Sequence, residues 1–514
     1  MASPILLQSF HWYSRGGGSL WKEMEERVQE FAGMGITHVW LPPAYKGASG
    51  SESIGYDTYD LFDLGEFDQK GSVGTKYGDR ASFERACSAL SANGISVIHD
   101  VVFNHKMGAD ESEAVRVRRV DPGDRTRIAD EVFEARAYTR FTFPGRKGKH
   151  SQFVWDKQCF SGVDLIENPD ETGVFKLVNE YGEGQWNDEV DSEFGNFDFL
   201  LGADVEFRNR AVYEELKFWA RWLGEQVPVG GFRLDAAKHI PAWFFRDWVG
   251  HVRKTVSPDL FVVAEYWHPE MDVLNQYLDR VDRQLLLFDV ALHHRFHDAS
   301  KLGREFDMRT IFDGSLVAGL PQHAVTLVDN HDTQPLQSLE AAVEPWFKPL
   351  AYALILLREH GTPCVFYADL YGARYRDKGG DGREHDVEMP VIECLPKLIE
   401  ARRRFANGLQ ADLFEHHSSI GFVRQGTAEL PGCVVVMSNG DASEIVADVG
   451  KANAGTTFKD FLGHRDDEII VGGEGRAAFP VHGGSVSVWV RSDAMRGGGD
   501  DERGTPDLRT GARS

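Results

Sequence analysis

Three acidic residues stand at the ends of short apolar runs. Asp235 follows Gly231-Phe232-Arg233-Leu234, Glu265 follows Val262-Val263-Ala264, and Asp332 closes Leu327-Val328-Asp329-Asn330-His331-Asp332. If those runs are strands of one parallel barrel, residues just past their C-terminal ends converge on a single mouth. Carboxyl groups gathered there suit the cleavage of a glycosidic bond. That reaction passes through an oxocarbenium-like transition state, which needs an acid on the leaving oxygen and a negative group near the anomeric carbon. Strand alternation puts Arg233 and Asp235 on the same side, and a guanidinium beside an aspartate favours the ionised form that a nucleophile requires. Glu265 sits between an apolar run and Tyr266-Trp267. Partial desolvation there is expected to raise its pKa and keep the proton a general acid must give. One such acid alone reads as a helix cap or a loop salt bridge; three at one mouth do not.

The elements that must position these acids are legible as alternating runs. Apolar, β-branched stretches occur at Ile5–Phe10, Ile36–Leu41, Ile95–Val101, Gly231–Leu234, Leu260–Ala264, Leu285–Phe288, Ala324–Val328 and Pro363–Tyr367. Helical patterns lie between them at Leu20–Met34, Arg80–Asn93, Asn209–Gln226, Pro241–Val256 and Pro345–His360, with Gly94 and Gly361 placed for left-handed C-caps. Eight strands with crossover helices predict an α/β fold, a (β/α)8 TIM barrel, with an open doubly wound sheet as the alternative. One connection is too long for a helix and too long for a structureless loop. Residues 106–202 are therefore expected to form an inserted irregular β-domain after strand 3, leaving 1–105 and 203–405 as the barrel. From 406 to 492 the pattern changes to short strands and turns, predicting a C-terminal antiparallel β-sandwich. Residues 493–514, with Gly497-Gly498-Gly499 and alternating charges, read as a disordered tail.

The 514 residues are 42% hydrophobic and carry a net charge of −24, which opposes nucleic acid or an anionic membrane as partner. A neutral substrate or a bound cation fits better, and a monomer is expected. The five cysteines, Cys87, Cys159, Cys364, Cys394 and Cys433, form no CxxC pair, which excludes a disulfide framework while leaving one bridge open. Met-Ala-Ser-Pro-Ile5-Leu6-Leu7 shows no basic or apolar signal segment, and no apolar stretch is long enough to span a bilayer, so a cytoplasmic protein is expected.

Four segments now carry a resemblance. Asp100-Val101-Val102-Phe103-Asn104-His105, Gly231 to His239, Glu265 with its preceding strand, and Val328-Asp329-Asn330-His331-Asp332 stand in order at the ends of predicted strands. With Phe10-His11-Trp12-Tyr13, Gly55 to Leu61 and Trp346-Phe347-Lys348-Pro349-Leu350, they resemble the α-amylase family of glycoside hydrolases, in particular its liquefying, calcium-dependent bacterial type. The resemblance spans about residues 5 to 491. It implies Asp235 as nucleophile, Glu265 as acid/base, Asp332 as transition-state stabiliser, and retention of anomeric configuration. It further implies an α-glucan substrate, with Tyr56 stacking on the sugar beside the scissile bond. His105 and His331 would bond that sugar's hydroxyls, Lys238, His239 and Trp267 would line the leaving-group side, and Trp12 would add to the pocket wall beside Arg233.

A calcium site between barrel and insert is implied at Asn104, Asp198, Asp204 and the main-chain oxygen of His239, an oxygen-rich set of the kind Ca2+ prefers. The bacterial relatives carry an additional calcium–sodium cluster. Ser161, Asn187, Glu206 and Arg208 hold the corresponding positions here, and the loss of carboxylates with the gain of an arginine predicts that those extra ions are absent. His11 is a second departure, standing where the relatives have an acid. Two other readings remain at this level. A 4-α-glucanotransferase or glucan-remodelling enzyme would use the same acids. A non-catalytic carbohydrate-binding barrel should have lost one of them.

Overall fold

The structure, a computed structural model, describes residues 4–495. Each apolar run shortens to the length of its hydrogen-bonded ladder. The strands are β1 (Leu6–Gln8), β2 (His38–Leu41), β3 (Ser96–Val101), β4 (Gly231–Leu234), β5 (Phe261–Ala264), β6 (Leu286–Phe288), β7 (Ala324–Leu327) and β8 (Thr362–Phe366). They close into one parallel barrel in which every strand neighbours the next in sequence and β8 returns to β1. The register sets Arg233 beside Asp100 on one flank and Val263 on the other, and Gln8 between Trp40 and Phe366.

The helices cover the barrel with apolar faces at helical spacing. Leu20–Met34 buries Leu20, Trp21, Met24, Val28 and Phe31, and ends where Gly35 turns left-handed at φ 93°. Gly94 and Gly361 adopt φ 74° and 83°, as their positions after helices require. A side chain at Gly94 would meet no atom within 4 Å, whereas one at Gly361 would lie 3.0 Å from Thr326 Cγ2 and Val317 Cγ2. Gly94→Ala is therefore expected to cost only the backbone term, about 1 kcal/mol. Gly361→Ala should cost measurably more. Urea denaturation of the two variants checks this, and equal losses would contradict it.

The long connection holds a six-stranded sheet in the order His105–Lys106, Ala203–Val205, Phe160–Ile166, Glu171–Leu177, Glu111–Val120, Phe133–Arg140. The sheet extends past 106–202 at both ends, through His105 and Val205. Within the segment placed in the barrel, Ala373–Lys378 and Glu384–Met389 form an antiparallel hairpin that the sequence pattern did not predict.

Chain segments cluster into two compact units. One comprises the described residues up to Leu302, Thr310–Leu356 and His360–Glu400; the other comprises Gly303–Arg309, Leu357–Glu359 and the described residues from Ala401 on. In the second unit a six-stranded antiparallel sheet faces the pair Ser443–Asp448 and Arg476–Val481 across a core of Val434, Val436, Ile445, Phe479 and Trp489. Of the expected tail, residues 493–495 belong to a short helical turn, Ser492–Met495, and the remainder lies outside the described residues. All five cysteines are buried free thiols. Among the described residues no helix is long and apolar enough to cross a membrane.

Candidate active site

Arg233, on β4 and almost fully buried, organises the barrel mouth. Its Nη1 donates to Asp235 Oδ1 at 2.6 Å and to Asp100 Oδ1 at 2.9 Å, and its Nη2 donates to Glu265 Oε2 at 2.6 Å. Asp235 and Glu265 thus lie within the span of one guanidinium, 7% and 8% exposed. Ala236 adopts the left-handed conformation at φ 48°, and its N–H donates to Glu265 Oε2 at 3.2 Å. The strand end of β4 therefore helps to hold the carboxylate of β5.

Asp100 is the member that sequence reasoning missed. It accepts from Arg233, from Trp40 Nε1 at 2.9 Å and from the Tyr56 hydroxyl at 2.8 Å, so its oxygens are spent on structure. Its position opening the first signature segment was the available signal. The guanidinium is also shared more widely than Arg233 beside Asp235 suggested. Burial pushes the Asp235 carboxyl well up despite Arg233, with Glu265, Asp100 and Asp332 adding repulsion. Burial and the nearby Glu265 raise Asp332 to about 8. Because one cation serves three carboxylates, these acids titrate as a group, and the bond from Arg233 to Asp235 is what favours an ionised nucleophile there.

Asp332 follows His331, whose Nε2 lies 3.3 Å from Asp332 Oδ2. Asn330 Oδ1 accepts from the N–H groups of Asp332 and Thr333 at 2.8 and 2.9 Å and shapes this loop. Behind it, Asp329 Oδ2 pairs with Lys348 Nζ at 2.7 Å, and Lys348 also reaches Asp369 at 2.5 Å. The Trp346-to-Leu350 segment thereby acquires a purpose: its lysine anchors the loop that carries Asp332.

Trp12, Tyr56 and His331 present three nearly parallel rings, with centroids 5.0 to 6.0 Å apart. Tyr56 and Trp12 are half-buried. His105 is engaged differently from expectation: its Nε2 is 2.7 Å from the main-chain oxygen of Tyr56, so that nitrogen fixes the Tyr56 turn and is not free for a sugar. His239 is also buried, its Nδ1 2.8 Å from Phe197 O, and it meets Phe197 edge-on. Lys238 pairs with Glu193 at 2.8 Å, and Tyr266 donates to Asp191 at 2.7 Å, so the insert's 191–197 loop is fastened beside β4 and β5. Trp267 packs near His293 and His294. Burial and Lys76 lower His11 to about 4, which leaves it neutral.

The expected metal ligands form a second cluster. Asp198 and Asp204 are each 1% exposed, and Ser161 Oγ donates to Asp204 and lies 3.4 Å from Asp198 Oδ2. Asn187 donates its main-chain N–H to Asp198 at 3.0 Å, and Asn104 Nδ2 lies 3.4 Å from Asp204 Oδ1. Burial raises Asp198 to about 6 and pushes Asp204 well up, the latter also through repulsion from Asp198. Asn104 Oδ1 and Asn187 Oδ1 are buried without partners. Arg208 forks onto both oxygens of Glu206 at 2.7 Å, and Lys176 Nζ donates to Ser161 O at 2.6 Å. Among the described residues no three His, Cys, Asp or Glu side chains converge as a metal cluster; the expected set has only two carboxylates.

A closed parallel barrel with paired carboxylates at its mouth has the arrangement that glycoside hydrolysis requires. Residues 5–388 match the family described as Alpha amylase, catalytic domain. The chain is 59% identical over 496 residues to the cytoplasmic alpha-amylase of Escherichia coli (strain K12), covering 96% of this chain and all of that one. It is 42% identical to the alpha-amylase of Bacillus licheniformis, covering 95% of this chain and 93% of the other. In fold it is similar to a crystal structure of an alpha-amylase from Geobacillus thermoleovorans, with a TM-score of 0.62 at 17% identity over 95% of this chain and 98% of that one. This chain belongs to the α-amylase family.

Proposed function

We propose that the protein is an endo-acting, retaining α-amylase that hydrolyses internal α-1,4-glucosidic bonds of starch, glycogen and malto-oligosaccharides. The observation that carries this reading is Arg233 bonded at 2.6 Å to both Asp235 and Glu265 at the barrel mouth. Glu265 gives its proton to the glycosidic oxygen as the bond to the anomeric carbon breaks, and the Asp235 carboxylate closes on that carbon to form a glycosyl ester. Glu265, now ionised, takes a proton from water, whose oxygen displaces Asp235 and restores both groups. Asp332 accepts hydroxyl hydrogen bonds from the distorted sugar. Tyr56 and Trp12 supply aromatic faces to it, while Lys238, His239 and Trp267 border the leaving-group side, His239 through its hold on the 191–197 loop.

Digestion of maltoheptaose distinguishes this from glucan transfer. Shorter oligomers alone are expected; oligomers longer than seven units would mean that the ester is passed to sugar and not to water. The protein is proposed to act as a cytoplasmic monomer, in keeping with a relative named for that compartment.

We also propose one calcium ion at Asn104, Asp198, Asp204 and the main-chain oxygen of His239. Two buried carboxylates and the unpartnered Asn104 Oδ1 form a donor set of oxygens that suits Ca2+. The ion would neutralise both aspartates and tie together three segments distant in sequence. Further ions are proposed to be absent, because Arg208 occupies both oxygens of Glu206 and Lys176 brings a second side-chain cation to Ser161.

A further inference from the structure

Gln8 has no role in the reading above, although it sits at the last position of β1, fully buried. Its Nε2 is 2.8 Å from His331 Nδ1, while its Oε1 has no partner. The His331 ring packs among Tyr56, Trp12, Phe10 and Trp40, with ring centroids 5.0 to 6.0 Å away. Its Nε2 is buried and without a hydrogen bond, 3.3 Å from Asp332 Oδ2 but off the bonding line. A neutral imidazole carries one proton on one of two nitrogens, and the partner of the other nitrogen decides which.

Resting on the α-amylase reading, we infer that Gln8 is a positioning residue that fixes His331 as the neutral Nε2–H tautomer, making the ring a hydrogen-bond donor into the sugar site. The Gln8 amide donates to the Nδ1 lone pair, so the proton must sit on Nε2. A sugar hydroxyl facing both His331 and Asp332 has a single hydrogen, which it gives to the carboxylate. Its oxygen then needs a donor, and Nε2–H supplies one. With the opposite tautomer, Nε2 and Asp332 would both present lone pairs to the same hydroxyl. Burial and the proximity of Arg233 disfavour the imidazolium, which keeps the donor uncharged.

The test is a two-bond proton–nitrogen correlation spectrum of the full-length protein labelled with 15N-histidine and free of substrate. The His331 signals are assigned by their disappearance in His331→Gln. An unprotonated Nδ1 and a protonated Nε2 are expected; a protonated Nδ1 in the unsubstituted protein overturns the inference without any variant. In Gln8→Met, which keeps the volume but offers no donor, the two nitrogens should move towards averaged values. Turnover in Gln8→Met should fall by about tenfold with KM little changed, as for other partners that orient an active-site imidazole. In Gln8→Glu the carboxylate demands a proton on Nδ1, and the spectrum should show it. Gln8→Met with an unchanged spectrum and unchanged turnover also overturns the inference. Absence of glucan hydrolysis in the unsubstituted protein would sink the enzymatic reading instead, while the spectrum still judges the tautomer.

Discussion

Asp235→Asn is expected to reduce hydrolysis of soluble starch by roughly ten-thousandfold or more, because an amide can neither attack the anomeric carbon nor leave it. Glu265→Gln and Asp332→Asn should fall comparably on the same substrate. The roles separate on an aryl maltoside whose leaving group needs no proton. Glu265→Gln should then form the glycosyl ester and release a burst of phenol before stalling, whereas Asp235→Asn should release none. Each variant should keep the native circular dichroism spectrum. Arg233 keeps Asp100 and Glu265 as partners when Asp235 is substituted, so its charge stays compensated. Turnover within about tenfold of the unsubstituted enzyme in any of the three would remove that residue from the mechanism.

Chelation is the second large effect. An ion held only by the folded state at about a thousandfold above its dissociation constant contributes about 4 kcal/mol. For a chain of this size that is a fall of roughly 4 °C in melting temperature on adding excess chelator. Coincident melting curves with and without chelator would refute the calcium assignment. Asp204→Asn should melt low and respond little to chelator, since one of its two carboxylates is gone. Elemental analysis of the dialysed protein should find one calcium per chain; two or more would refute the proposed absence of further ions.

The barrel was legible because its strands are continuous apolar runs and its helices carry apolar stripes; Gly231–Leu234 and Leu20–Met34 have the boundaries that the sequence suggested. Strand ends were overestimated where apolar residues continue past the ladder, as at Ile5 and Phe10. The hairpin Ala373–Lys378 with Glu384–Met389 escaped because its apolar alternation is only two residues long on each strand, Ala373 and Tyr375 against Met389 and Val387, among charged neighbours. Ion pairs between Arg374 and Glu388 and between Arg376 and Asp386 face each other across its strands. The three acids could be found from strand ends alone. Their supporting contacts could not, since Trp40 to Asp100, Gln8 to His331 and Lys348 to Asp329 each depend on which residues meet across distant segments. The wider sharing of Arg233 was hidden for the same reason: sequence shows the neighbour two residues away, not the two carboxylates on flanking strands.

The antiparallel pairing of His105–Lys106 with Ala203–Val205 bears on how the chain assembles. β3 and β4 must become neighbours although the whole insert separates them, and closing so long a loop costs conformational entropy before any contact compensates. The insert begins and ends on adjacent strands of its own sheet. Once that sheet has formed, the end of β3 is clasped to the segment that opens the helix Arg210–Gln226, and only that helix separates the clasp from β4. The insert can therefore serve as a folding template for the middle of the barrel, shortening the search that its length would otherwise impose.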